Sequence, residues 1–266
     1  MKKIIVILIL VLTLSGCGSD PLPSEDKDYD LMVLFVGNSY TSKNDLPKMF
    51  EELAASGGKV VYQASSTKNN SALFMHANLK KGIGKKTIGK IKSDSINWDY
   101  VILQEQSKMP ITDSYYFSEG VGELIIQIET VNATPALYMT WGRRDGFEGQ
   151  SFEEMNSDLE FAYESEAEAW DALLLPAGSA WGKMMAKDRD FGLRLWDSDG
   201  SHPSYIGSYL NACVFYATFF EESPVGLWYD PAQIDVNDAQ YIQNFVQDFF
   251  EKDKNIDLKK EERTDG

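Results

Sequence analysis

The chain has 266 residues and carries 25 Lys and Arg against 41 Asp and Glu, a formal net charge of −16. Such an acidic surface repels phosphate backbones, which excludes nucleic acid as a partner and argues more weakly against strongly anionic substrates. With two histidines and two cysteines, a metal site built from Cys and His ligands is all but excluded.

Lys2 and Lys3 precede an apolar stretch, Ile4 to Leu14. That stretch is about half of the ~20 residues that span a bilayer, so residues 1–16 read as a secretory signal. The "LSGC" that follows, Leu14 to Cys17, resembles a bacterial lipobox. The resemblance implies cleavage before Cys17 and lipid on its thiol, hence an exported chain anchored in the cell envelope. An ordinary signal with an incidental cysteine is the alternative. Gly18, rather than aspartate, after the cysteine points to an outer membrane or cell surface. Cleavage removes Lys2 and Lys3 and no acid, so −16 becomes −18. A lipidated Cys17 leaves Cys213 without a disulfide partner. Cys213 lies in "YLNACVFYATFF" and reads as a small buried hydrophobe.

Residues 17–29 are polar, with Pro21, Pro23 and several acids, and read as a tether. Residues 253–266 form a charged tail. Residues 30–252 between them suffice for one domain with a full core. Continuous apolar runs at 31–36, 60–65, 99–105, 136–141 and 171–176 predict strands covered on both faces. Helices are predicted over 44–56, with Asn44 as cap, and over 71–81 and 117–130. A further helix at 151–169 opens on a capping box from Ser151 to Glu154. The last two span 203–222, with Pro203 in the first turn, and 237–252. The alternation predicts an α/β fold: a parallel sheet of about five strands between helical layers, with its working crevice beyond the strands' carboxyl ends.

The stretch "LFVGNSYT" puts Ser39 on the turn between a buried strand and a helix. A serine hydroxyl needs a base to become a nucleophile, and histidine is the usual one near neutral pH. In "DSDGSHPSYIG", Asp199 lies three residues before His202, a spacing that lets a carboxylate reach back to the ring. His76, in "ALFMHANL", has no acid in the adjacent turn and reads as structural or crevice-lining. The patterns G-x-S-x-G, Rossmann and P-loop are absent.

Strand–GNS–helix near the start and D-x-x-H near the end resemble the SGNH (GDSL-type) hydrolase superfamily. "NDLP", "DYVILQEQS", "TWGRR" and "DGSHPSYIGSYLNACVFYA" resemble a bacterial branch of it. The resemblance covers residues 31 to about 230 and implies a three-layer, flavodoxin-like α/β/α fold. It implies Ser39 as nucleophile, His202 as general base and Asp199 as its orienting acid. In that superfamily the oxyanion is held by the serine N–H, a glycine and an asparagine. Here Asn70 (or Asn69) stands for the glycine, and Gln106, with Gln104 as competitor, for the asparagine. Sheet-end hydrogen bonding is the alternative role for both glutamines. Asn38 replaces the usual aspartate, and its side chain can bond across the turn. Acyl transfer to water of this kind needs neither metal nor organic cofactor. Trp141 and Trp196 are candidates for stacking on a sugar, although such tryptophans are as often core. Arg143 or Arg144 could meet a carboxylate or a neighbouring loop. The implied partner is an acylated glycan or small molecule.

Overall fold

The structure is a computed structural model that describes residues 22–24, 26–80, 82–252 and 258. The signal, Cys17 and most of the predicted tail lie outside the described residues. Among the described residues no helix is long and apolar enough to cross a membrane.

Strand β1 (Leu31–Gly37) leads through α1 (Ser39–Ser42) and a 3-10 turn into α2 (Leu46–Ser56) and β2 (Val61–Thr67). Helices α3 (Leu73–Ala77) and α4 (Gly82–Ile91) precede β3 (Tyr100–Leu103); α5 (Met109–Thr112) and α6 (Ser114–Glu129) lead to β4 (Thr134–Tyr138). Helix α7 (Phe152–Trp170) precedes β5 (Leu173–Leu175), followed by α8 (Ala177–Lys187), α9 (Arg189–Gly192), α10 (Tyr205–Phe220) and α11 (Val236–Lys252). All five strands pair in parallel, in the order β2-β1-β3-β4-β5. The fold is α/β, as the alternation of segments predicts, and flavodoxin-like, as the family resemblance implies.

Alternation along β1 divides the core. Val33 and Phe35 face α2, α8, α10 and α11, while Leu34 and Val36 face α3, α4, α6 and α7. Because both faces are covered, β1 reads as an unbroken apolar run. Cys213 is fully buried in α10.

Three local differences from expectation have physical causes. Asn44 does not cap α2: Asn44 and Asp45 both take left-handed backbone angles, φ 55° and 51°, and Asp45 is the cap residue. Pro203 precedes α10, where Ser204 is the cap and accepts from the Gly207 N–H. Helix α4, "GIGKKTIGKI", is hidden in the sequence by three glycines of low helix propensity; burial of Ile88 and Ile91 outweighs them. The Ser151–Glu154 capping box forms with both of its reciprocal bonds.

The order reverses direction at β1: β2 lies on one side of it and β3 on the other. In open α/β sheets, ligands bind at such a switch point, beyond the carboxyl ends. The two turns that meet there are Gly37–Ser39 after β1 and Gln104–Ser107 after β3.

Candidate active site

The turn after β1 is built around Asn38 and Gln104, both buried. The Asn38 N–H donates to Gln104 Oε1 at 3.0 Å, as does Thr41 Oγ1 at 2.9 Å, and Gln104 Nε2 donates to Asn38 Oδ1 at 3.2 Å. Asn38 Oδ1 also accepts from the Tyr40 N–H at 3.0 Å, and its Nδ2 donates to the Ser71 carbonyl at 3.0 Å. One amide thus fastens the ends of β1 and β3 and the loop after β2. Gly37 is required at the strand's end: a Cβ there would stand 2.5 Å from Gln104 Oε1.

Ser39 is the first residue of α1, so its N–H has no carbonyl one turn back within the helix. Its Oγ lies 2.8 Å from His202 Nε2, although the two residues are 163 apart in sequence. His202 Nδ1 lies 2.6 Å from Asp199 Oδ2. A carboxylate only accepts, so Nδ1 carries the proton and Nε2 of the neutral ring is left to accept from the serine hydroxyl. Asp199 Oδ1 accepts from the N–H groups of Ser201 and His202 at 2.9 Å each. Burial by itself would raise this carboxyl, but the His202 ring and the two N–H groups hold it down at about 2. Gly200, at φ 65°, closes the turn between acid and histidine.

Contacts absent from the sequence pattern tie the nucleophile's turn to the histidine's loop. Asn44 Nδ2 donates to the Pro203 carbonyl at 3.1 Å and to Ser208 Oγ at 2.9 Å. Lys43 pairs with Asp197 at 2.7 Å. The Tyr40 ring meets the His202 ring edge-on at 5.4 Å, and its hydroxyl bonds Ser201 Oγ at 2.7 Å. Only the positions of Tyr40 beside Ser39 and Ser201 beside His202 could have signalled these roles.

A cleft of about 260 Å³ opens over Ser39 and His202, lined by Asn38, Tyr40, Asn69, Asn70, Gln106, Ser107, Arg143 and Ser201. Asn70 adopts a left-handed conformation, φ 58°, of the kind glycine favours, and asparagine is among the residues that tolerate it. Gln106 Oε1 accepts from the Lys108 N–H at 3.0 Å, which leaves its amide N–H groups to donate to a ligand.

Three residues expected at the lining lie elsewhere. Gln104 sits behind the turn, with its amide consumed by Asn38, Thr41 and the Glu105 carbonyl. Trp141 is fully buried beneath the site, stacked on Tyr40 at 4.9 Å and on Trp181 at 3.9 Å, with Nε1 donating to the Ser201 carbonyl. His76 is fully buried, and its Nε2 donates to the Gly37 carbonyl at 2.9 Å while Nδ1 accepts from Thr87 Oγ1 at 2.8 Å. Burial lowers its pKa to about 4, so it is a neutral brace for β1. Trp196 is also core, with Nε1 donating to the Gly142 carbonyl.

Glu105, between the two glutamines, is buried and accepts from the Leu73 and Gln106 N–H groups. It thereby links the start of α3, next to the Asn69–Asn70 loop, to Gln106. Burial pushes its carboxyl up to about 8, against the pull of those two bonds. The Leu73 N–H is shared between Oε1 and Oε2, and the Gln106 N–H goes to Oε1 alone, so Oε2, with the fewer donors, is the oxygen better placed to carry the proton. An unfolded glutamate titrates near 4.3, so between about pH 4.5 and 8 the folded chain holds a proton that the unfolded chain has released. Stability therefore falls as pH rises through that window, by on the order of 1 kcal/mol per pH unit. Urea midpoints at pH 5.5, 6.5 and 7.5 should decline in the wild type. Glu105→Gln, which mimics the protonated form, should decline less, and parallel curves for the two proteins would refute the assignment.

No family model matches the chain, and no curated protein does. Solved structures do. A protein of Slackia heliotrinireducens described as a candidate SGNH hydrolase is 29% identical, with a TM-score of 0.60 over 71% of this chain and 98% of its own. A DUF4886 family protein of Bacteroides uniformis is 20% identical, with a TM-score of 0.70 over 84% of this chain and 95% of its own. An acetylxylan esterase of Geobacillus stearothermophilus shares 13% identity, with a TM-score of 0.54 over 71% of this chain and 94% of its own. The fold is therefore that of the SGNH hydrolases, and the 29% identity to the Slackia protein along nearly its whole length supports a place for this chain in that superfamily.

Proposed function

We propose that the protein is an exported, lipid-anchored serine esterase that removes short acyl groups, acetyl foremost, from a carbohydrate. The observation that carries this reading is the Ser39–His202–Asp199 relay, with spacings of 2.8 and 2.6 Å, at the floor of a polar cleft. Ser39 Oγ attacks the ester carbonyl carbon as its proton passes to His202 Nε2. The Ser39 N–H and the amides of Asn70 and Gln106 supply donors for the oxyanion. Collapse expels the alcohol, which takes the proton from His202. The same nitrogen then deprotonates a water, which attacks the acyl-enzyme and frees Ser39. Asp199 stays ionised throughout and balances the imidazolium.

The size of the cleft suits a small acyl group, and its amide and hydroxyl lining complements sugar hydroxyls. Trp141 and Trp196, being core, lend no support to a sugar platform. The fold shared with an acetylxylan esterase is consistent with an acetylated glycan. Export and anchoring rest on residues 2–17, which end at Cys17.

The reading is tested by incubating the purified protein with a fluorophosphonate and with p-nitrophenyl acetate. The expected result is acetate release together with a single labelled site that disappears in Ser39→Ala. Label retained in Ser39→Ala would remove Ser39 from its role. A wild type that neither labels nor turns over would make the cleft a binding site. For the anchor, Cys17→Ala should shift the protein from the membrane fraction to the soluble one, and unchanged partitioning would refute lipidation.

A further inference from the structure

Among the described residues, Arg144, Arg189 and Arg194 each pair with a carboxylate: Asp145, Glu153 and Asp238. Arg143 does not. No carboxylate among the described residues lies within 4.0 Å of its guanidinium, and its Nε is buried without a hydrogen-bond partner. In a chain where acids outnumber bases by 41 to 25, this is the arginine at the cleft. It follows β4 in "TWGRR", at the carboxyl end of the sheet. Its backbone is held by the Met155 sulfur at 3.3 Å, and its guanidinium lies over the Phe147 ring at 5.3 Å from the centroid. Lys108 lies over that ring too, at 4.2 Å, and adds positive potential to the rim.

A guanidinium taken partly out of water without an anion is costly unless a ligand supplies one. The cleft offers no acid of its own: its other lining groups are amides, hydroxyls and the His202 ring. Arg143 is also the only cation among the lining residues, which matches one negative charge better than the two of a phosphate monoester. Its planar fork fits a carboxylate through two parallel bonds.

We propose that Arg143 is a carboxylate-binding subsite of the Ser39 cleft, and that the substrate is an acyl ester of an acidic sugar, a uronate. The proposal rests on the esterase reading and names its substrate class. The net charge of −16 does not oppose it at close range: exposed charges are screened beyond about 8 Å at physiological ionic strength, while a partly buried guanidinium is screened far less. The overall acidity governs approach; Arg143 governs what is held.

The test compares kcat/KM for O-acetate release from O-acetylated methyl galacturonoside with that from its C6 methyl ester, in which the carboxylate is masked as a neutral group. The wild type should prefer the free acid by about 10- to 100-fold, the range of a charge-assisted bidentate contact. Arg143→Gln should abolish that ratio, and Arg143→Lys should keep part of it. No preference in the wild type, or the same preference in Arg143→Gln, overturns the subsite. If no ester is turned over, the esterase reading has failed on its own. The subsite is then read by calorimetry on Ser39→Ala with methyl galacturonoside and methyl galactoside. Binding of the acid alone, lost in Ser39→Ala/Arg143→Gln, upholds the subsite; equal binding or none refutes it.

Discussion

His202→Ala should lower kcat on p-nitrophenyl acetate by about 10⁴- to 10⁶-fold with little change in KM, because the ring acts only after the ester is bound. Ser39 Oγ would lose its acceptor at 2.8 Å, and a free hydroxyl is a poor nucleophile at neutral pH. Asp199→Asn should cost less, about 10³- to 10⁴-fold. The asparagine amide can donate to Nδ1, which favours the tautomer with its proton on Nε2, facing the serine. With an ionised acid held down to about 2, the wild-type relay should keep its ring orientation at any pH above about 3. The three groups act as a unit, so Ser39→Ala/His202→Ala should be scarcely slower than either single variant. Losses that multiply in the double variant would show that the two side chains act in separate steps. A fall of less than tenfold in His202→Ala would show that another base serves Ser39.

The second large effect is on stability. Trp141→Ala should destabilise the fold by about 3–5 kcal/mol in urea unfolding, the usual cost of emptying a buried tryptophan site. Trp141 has no exposed surface, and its ring lies in a three-ring column between Tyr40 and Trp181 with interplanar angles of 5° and 7°. Its removal also strips a donor from the Ser201 carbonyl, beside His202. The activity remaining in the folded fraction should therefore fall as well, because Tyr40, which abuts the His202 ring, loses its backing. Trp141→Phe should recover most of the stability and none of the Ser201 bond. A loss below about 1 kcal/mol for Trp141→Ala would mean that the column supports neither core nor site.

Ser39, Asp199 and His202 were legible because each sits at a boundary between elements, where a polar side chain needs a reason that packing does not supply. The five strands were legible because each is an apolar run covered on both faces, though β3 and β5 proved shorter than their runs. What the sequence hid depends on distant partners. Asn44 looks like a helix cap until Pro203 and Ser208, about 160 residues away, are seen to claim its amide. Trp141 follows a strand at the working end of the sheet, where exposure is the natural guess, but α8 brings Trp181 over it. Gln104 and Gln106 are two residues apart past the end of β3, beyond the regular alternation, and only coordinates separate the brace from the donor. Arg143 is one of an Arg-Arg pair, and which of the two lacks an acid is a matter of geometry.

The separation of 163 residues between the serine and its base sets an order of events during synthesis. At 5–20 residues per second, a ribosome delivers His202 on the order of ten to thirty seconds after Ser39. Throughout that interval the hydroxyl lacks the imidazole that stands 2.8 Å from it in the folded chain. That contact arrives late, when the segment before α10 docks against the mouth of a sheet whose serine-bearing strand, β1, was made first.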